Sequence, residues 1–106
     1  MVREASAKGA DIIILPECFN TPYMKHFMLK DKEFTTGPNI GPSFTLLQKL
    51  AKETGKYIIG GSICEAIEGS DKIYNTCLCF DRKGNLTAKH RKAHLFDVNI
   101  PGGIVF

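Results

Sequence analysis

The sequence predicts a mixed α/β fold, and three observations carry that expectation. Residues 12–15, Ile-Ile-Ile-Leu, form a short unbroken apolar run rich in β-branched side chains, which is the composition of a buried strand. Residues 44–51 instead place Phe44, Leu46, Leu47, Leu50 and Ala51 at three- and four-residue spacing, the period of a helix with one apolar face. Segments 57–64, 74–80 and 86–91 are strand-like and separated by polar or turn residues, so hairpin pairing should follow the helical crossover.

Residues 1–8 read as the last turns of a helix, with Ala5 and Ala7 as good formers and Gly9 where a C-terminal cap belongs. Pro16 ends the first strand, whose continuous apolarity predicts burial on both faces. Residues 24–36 have mixed polarity and lead into Gly37-Pro38-Asn39-Ile40-Gly41-Pro42, so a long loop with a short helical piece is expected. Ser43 can cap the next helix and Gly55 can close it. Strands 57–64 and 74–80, joined by the polar connection 66–72, should pair antiparallel. Asp81-Arg82-Lys83-Gly84-Asn85 is a turn that sends the chain back along strand 86–91, and the tail from Ala93, with Pro101-Gly102-Gly103, reads as loop.

A chain of 106 residues has room for one domain or part of one. With 43% apolar and 24% charged residues it matches ordinary globular proteins, which argues against disorder and against a disulfide scaffold. A net charge of +3 is thinly spread, and no aromatic platform accompanies Lys89-His90-Arg91-Lys92, so no nucleic-acid partner is expected. No apolar run approaches the ~18 residues of a membrane span. Met1 is followed by Arg3, Glu4 and Lys8 rather than by a basic segment and then an apolar stretch, so no secretion signal is expected. Cys18, Cys64, Cys77 and Cys79 lack Cys-x-x-Cys spacing, so reduced thiols and a cytoplasmic location are expected, with a mitochondrial one left open.

Two residues stand out for chemistry. Glu17 follows the apolar strand directly, and the carboxyl ends of strands in open α/β sheets are where ligand crevices form. Partial burial there would raise its pKa toward neutrality, as a general base or acid requires; a surface carboxylate opening a loop is the alternative. Lys92 ends strand 86–91, and alternation sets it on the opposite face from Lys89 and Arg91. It could hold a positive charge against an oxyanion or orient a carboxylate partner, or belong to a solvated basic turn.

The remaining candidates point elsewhere. His90 and His94, four apart, would make a metal pair only on a helix, and their segment reads as strand running into loop, so no metal is expected. Cys18 should point away from Glu17 and pack as a core thiol, and core packing is likewise expected of Cys77 and Cys79, which share a strand face.

Two blocks, Ala10-Asp11-Ile12-Ile13-Ile14-Leu15-Pro16-Glu17-Cys18-Phe19-Asn20-Thr21-Pro22-Tyr23 and Lys89-His90-Arg91-Lys92-Ala93-His94-Leu95-Phe96-Asp97, together resemble the nitrilase (carbon-nitrogen hydrolase) superfamily. Gly60-Gly61-Ser62-Ile63, Tyr74-Asn75-Thr76 and Asp81-Arg82-Lys83-Gly84 sit where that family has its central hairpin and turn, so the resemblance runs through the whole chain. It implies part of an α-β-β-α sandwich, a mixed sheet with covering helices, incomplete at both ends. Residues 1–106 would be a partial domain lacking the first strand and everything from the nucleophilic cysteine onward.

The resemblance further implies an amidase-type hydrolase of non-peptide carbon-nitrogen bonds that uses a glutamate, a lysine and a cysteine, with no cofactor. It assigns Glu17 as the glutamate and Lys92 as the lysine, while none of the four cysteines here matches the nucleophile's context. Cys-Phe-Asn-Thr-Pro-Tyr, His-Leu-Phe-Asp and the later Pro-Gly are most similar to the omega-amidase branch, whose substrates are short dicarboxylate monoamides such as 2-oxoglutaramate and 2-oxosuccinamate. There Tyr23 would line the substrate mouth, and the full-length enzyme would be a homodimer. Gly103, where that branch commonly carries lysine, departs from the pattern. Another amidase or nitrilase branch, or a truncated non-catalytic product, is the alternative.

Overall fold

The computed structural model describes residues 1–95. Short helix α1 (Val2–Ala7) leads through Gly9 into strand β1 (Ile12–Ile14). Gly9 has φ +93° and its N–H reaches the Ser6 carbonyl, so the expected cap is present. Next come α2 (Lys25–Asp31), the two-residue strand β2 (Glu33–Phe34) and α3 (Pro42–Thr54). Strands β3 (Tyr57–Ile59), β4 (Ile63–Ala66), β5 (Ile73–Phe80) and β6 (Leu86–Arg91) complete the described chain. The mixed α/β class is as the sequence predicts, and the short helical piece in the expected loop is α2.

All six strands belong to one sheet organised around β5. On one edge β5 pairs antiparallel with β4 through residues 73–76 and with β3 through 79–80. On its other edge it pairs antiparallel with β6. The single strand expected over 57–64 is therefore interrupted at Gly60-Gly61-Ser62, and its two halves each carry a parallel neighbour, β1 on β3 and β2 on β4. The returning turn is held by Asp81, whose Oδ1 accepts the N–H groups of Lys83 and Asn85, both at 2.9 Å.

Helix α3 lays its apolar stripe on the sheet. Phe44, Leu47, Leu50 and Ala51 are buried against Ile13, Ile58, Ile63, Leu78 and Phe80, with the Phe44 and Phe80 rings edge to face at 5.1 Å. Leu46, expected in that stripe, is half exposed. Gly55 adopts φ +66° and ends the helix as predicted. The beginning differs. Gly41 is the N-cap, Pro42 opens the first turn, and Ser43 lies inside it. The Ser43 N–H and hydroxyl both donate to the buried carboxylate of Glu33, so a side chain from β2 does the capping that Ser43 was expected to do.

A second buried carboxylate ties β6 to the rest. Glu65, 1% exposed, accepts hydrogen bonds from Thr35 at 2.6 Å, Thr76 at 2.8 Å and Arg91 Nε at 2.7 Å, and pairs with Lys89 Nζ at 2.5 Å. Burial pushes its carboxyl up, but the Arg91, Lys89, Thr35 and Thr76 hydrogen bonds outweigh that and hold it at about 2. The cluster confirms the predicted facing of β6: Lys89 and Arg91 turn to the helix side, so the next residue turns away.

The helix-covered face is the buried one. Strand β1 was expected to be covered on both faces, yet only Ile13 is buried, while Ile12 and Ile14 are 56% and 69% exposed. Alternation sends these two to the opposite face, where no described element packs over them. Cys77 and Cys79 lie on that same face and are half-buried with Sγ atoms 4.0 Å apart, so they are not the core thiols expected. The Pro101-Gly102-Gly103 and Phe96-Asp97 readings fall outside the described residues.

Two stability outcomes follow for the full-length protein containing this chain. Leu47→Ala is expected to lower unfolding free energy by about 2–5 kcal/mol in chemical denaturation, because it opens a cavity under a fully buried position. Glu65 titrates at about 2 when folded and near 4.5 when unfolded. It therefore contributes roughly 3 kcal/mol above pH 4.5 that disappears as pH falls toward 2. Glu65→Ala should remove that acid dependence and destabilise by about 3–5 kcal/mol at neutral pH, since it strands two cations; an unchanged acid melting profile would refute the assignment.

Candidate active site

The break between β3 and β4 and the end of β1 together make a cleft. Backbone pairing of β1 with β3 continues one step past the strand, with the Leu15 N–H donating to the Ile59 carbonyl at 3.0 Å. The chain then turns at Pro16-Glu17-Cys18, and Ser62 stitches that turn in place. Its N–H donates to Pro16 O at 3.3 Å, its Oγ accepts the Cys18 N–H at 2.9 Å, and its carbonyl accepts the Phe19 N–H at 3.2 Å. Cys18 takes a left-handed φ of +50°, which for a residue with a side chain costs about 1–2 kcal/mol. Gly61, at φ +55°, must be glycine: a Cβ there would meet Pro16 O at 2.1 Å and Leu15 O at 2.4 Å.

Glu17 projects from this turn on the face opposite the helices. Its Oε1 accepts Lys92 Nζ at 2.9 Å and Asn75 Nδ2 at 2.7 Å. Lys92 arrives from the end of β6, where its backbone N–H donates to the Asn75 carbonyl at 2.8 Å. Residues 75 positions apart in the chain thus form one ion pair, and Asn75 on β5 contacts both members. Ile14, Ile59, Gly61, Ser62, Cys77 and His90 complete an open cleft of about 380 Å³ around them.

The electrostatics differ from expectation in one respect. Glu17 was expected to have a raised pKa, but it lies below the ordinary carboxylate value. The Lys92 and then the Asn75 hydrogen bonds lower it, and they exceed the opposing desolvation because the Glu17 side chain is 52% exposed. Lys92 is correspondingly raised, chiefly by its bond to Glu17. At neutral pH the pair is a carboxylate and an ammonium.

Tyr23 stands just before α2 and is half-buried, with its hydroxyl pKa raised first by that burial. It does not belong to the residues that line the cleft, although the Lys92 charge is felt at its hydroxyl. Cys18 is buried, as expected; its thiol sulfur lies 3.9 Å from the Ser62 hydroxyl, and burial raises its pKa. Cys77 does reach the cleft, but burial and the neighbouring Cys79 push it up to about 11, so it is a thiol at neutral pH and a poor nucleophile. Among the described residues no group of three or more histidines, cysteines or carboxylates could hold a metal ion.

Sequence reasoning reached Glu17 and Lys92 and missed Asn75 and Ser62 as parts of the site. The usable signal for Asn75 was alternation, which places it on the same face of β5 as Cys77 and opposite the buried Thr76.

A family model described as carbon-nitrogen hydrolase matches residues 1–106. The chain belongs to the carbon-nitrogen hydrolase family. This carbon-nitrogen hydrolase chain is 49% identical over its full length to "Omega-amidase NIT2-B" of Xenopus laevis and 47% identical over 99% of its length to "Omega-amidase NIT2" of Homo sapiens. It spans 36% of the length of each of these relatives. Among solved structures it is similar to Saccharomyces cerevisiae Nit3, of the nitrilase superfamily, with TM-score 0.80 and 35% identity, covering 88% of this chain and 35% of that one. The resemblance read from the two sequence blocks is thereby established at the level of the family and of similarity to omega-amidases.

Two outcomes test the geometry. Gly61→Ala is expected to destabilise the full-length protein by about 1–3 kcal/mol in denaturant titration, because the new methyl group collides with the Leu15 and Pro16 carbonyls. Carbon-13 NMR of Glu17 should show it titrating below 4.5, and Lys92→Met should move it upward, since the loss of the cation removes the main stabiliser of the charged form. A Glu17 value indifferent to Lys92→Met would contradict the ion pair.

Proposed function

We propose that the protein containing this chain is an amidase of the omega-amidase type, hydrolysing short dicarboxylate monoamides such as 2-oxoglutaramate to the acid and ammonia. The observation that carries this reading is the Glu17–Lys92 pair at 2.9 Å in an open cleft at the carboxyl end of β1. Similarity to omega-amidases from frog and human supports the substrate class. The nucleophile is a cysteine from a segment outside these 106 residues, so residues 1–106 are part of a domain that the remainder completes.

In this reading Glu17 takes the proton from that thiol, and the thiolate attacks the amide carbon. Lys92 sits beside the developing oxyanion and offsets its charge. The tetrahedral intermediate collapses as Glu17 returns its proton to the departing nitrogen, releasing ammonia and leaving a thioester. Glu17 then deprotonates a water molecule that attacks the thioester, and the acid leaves as the thiol is regenerated. With its pKa lowered, Glu17 is ionised at neutral pH and so able to accept a proton, though as a weaker base, and the Lys92 ammonium that lowers it is the same charge that offsets the oxyanion.

The same reading makes Tyr23 a residue at the substrate mouth and the full-length enzyme a homodimer. The four free cysteines are consistent with a cytoplasmic setting. Among the described residues no helix is long and apolar enough to cross a membrane.

Ammonia release from 2-oxoglutaramate by the full-length protein is the measurement. Glu17→Gln is expected to lower kcat by ~10²–10⁴-fold and Lys92→Met by ~10²–10³-fold, with folding verified by circular dichroism. Full turnover by folded Glu17→Gln protein would end the proposal, and the 106-residue piece by itself is expected to release no ammonia. An ammonia-free result with the full-length protein would favour a non-catalytic product instead.

A further inference from the structure

We infer that Asn75 is a positioning residue for Glu17, assigning different work to the two oxygens of its carboxylate; this deepens the reading above and rests on it. Among the described residues, Asn75 and Lys92 both donate to the same atom of the Glu17 carboxylate. Oε1 takes Asn75 Nδ2 at 2.7 Å and Lys92 Nζ at 2.9 Å. That leaves Oε2 as the oxygen that can accept a proton, and two donors on Oε1 stop the carboxylate from rotating about its own axis.

Asn75 suits this task because it is itself held. It is 8% exposed on β5, paired with Cys64 of β4 on one edge, and its carbonyl accepts the Lys92 N–H on the other. Its neighbour Thr76 turns to the opposite face and bonds Glu65, which anchors the strand from behind. A neutral amide also does what a second lysine could not. It fixes the carboxylate without competing with Lys92 for the charge, so Lys92 keeps its remaining N–H groups for an oxyanion. The other groups facing Glu17 are Cys18 from its own turn, Tyr23 from the loop before α2, Cys77 from β5 and His90 from β6.

The isosteric Asn75→Asp and the truncated Asn75→Ala distinguish this role from simple scaffolding in the full-length protein. Both leave the backbone bond to Lys92 in place. For folded Asn75→Ala, kcat with 2-oxoglutaramate is expected to fall about 10²-fold, as for a displaced catalytic group, while KM changes little. The acid limb of the kcat profile should move to higher pH, because the charged carboxylate has lost a donor, and Asn75→Asp should move it further, because two carboxylates then share Lys92. Carbon-13 titration of Glu17 should shift upward in the same order. Unchanged kcat and an unmoved acid limb in folded variants would overturn the assignment. Wild-type turnover by Glu17→Gln would instead show that the underlying reading fails, and Asn75 would lose its role with it.

Discussion

Everything at the cleft depends on one close approach of backbone to backbone. At Gly60-Gly61-Ser62 the chain passes so near the carbonyls of Leu15, Pro16 and Leu78 that a methyl group at residue 60 or 61 would collide with them. The approach divides what would have been one long strand into β3 and β4. It also brings Ser62 within reach of three positions of the turn that carries Glu17. A strand that ran on without interruption would pair with a continuous neighbour, and no gap would remain for a side chain to enter.

Strand β5 then distributes the consequences between two faces. Thr76, Leu78 and Phe80 face the helix layer and are fully buried, while Asn75 and Cys77 face the cleft. On β6 the same alternation turns Lys89 and Arg91 to Glu65 and leaves Lys92 for Glu17. Two carboxylates on opposite sides of one sheet each collect basic side chains from one short segment. The buried one is enclosed by four hydrogen-bonding partners and serves architecture. The exposed one takes both Lys92 and Asn75 on one oxygen and faces an open cleft, which is what chemistry needs.

Their pKa values follow from that difference in setting. Glu65 is lowered strongly despite burial, because a desolvated carboxylate surrounded by donors interacts with them through little water. Glu17 is lowered by two donors while half exposed to solvent. Burial raises a carboxylate's pKa and with it its basicity, whereas a neighbouring ammonium keeps it ionised and less basic. This cleft has the arrangement of the second kind.

The amino-acid sequence by itself determined the elements whose signals are local. The helix of residues 42–54, the turn at Asp81, the caps at Gly9 and Gly55 and the pairing of β5 with its neighbours can be read from periodicity and turn chemistry, because each involves residues close in the chain. Glu17 and Lys92 were legible as strand-end residues within two recognisable blocks. Tertiary structure decided what depends on distant partners. It chose Glu33 rather than Ser43 to cap α3, broke the 57–64 strand at a contact with Pro16, and lowered rather than raised Glu17 by bringing Lys92 to it across 75 positions of chain. It also left Ile12 and Ile14 exposed where an unbroken apolar run had promised two covered faces. Side-chain chemistry is written residue by residue, but capping, close approach and charge pairing are properties of which segments meet, and only the folded chain specifies that.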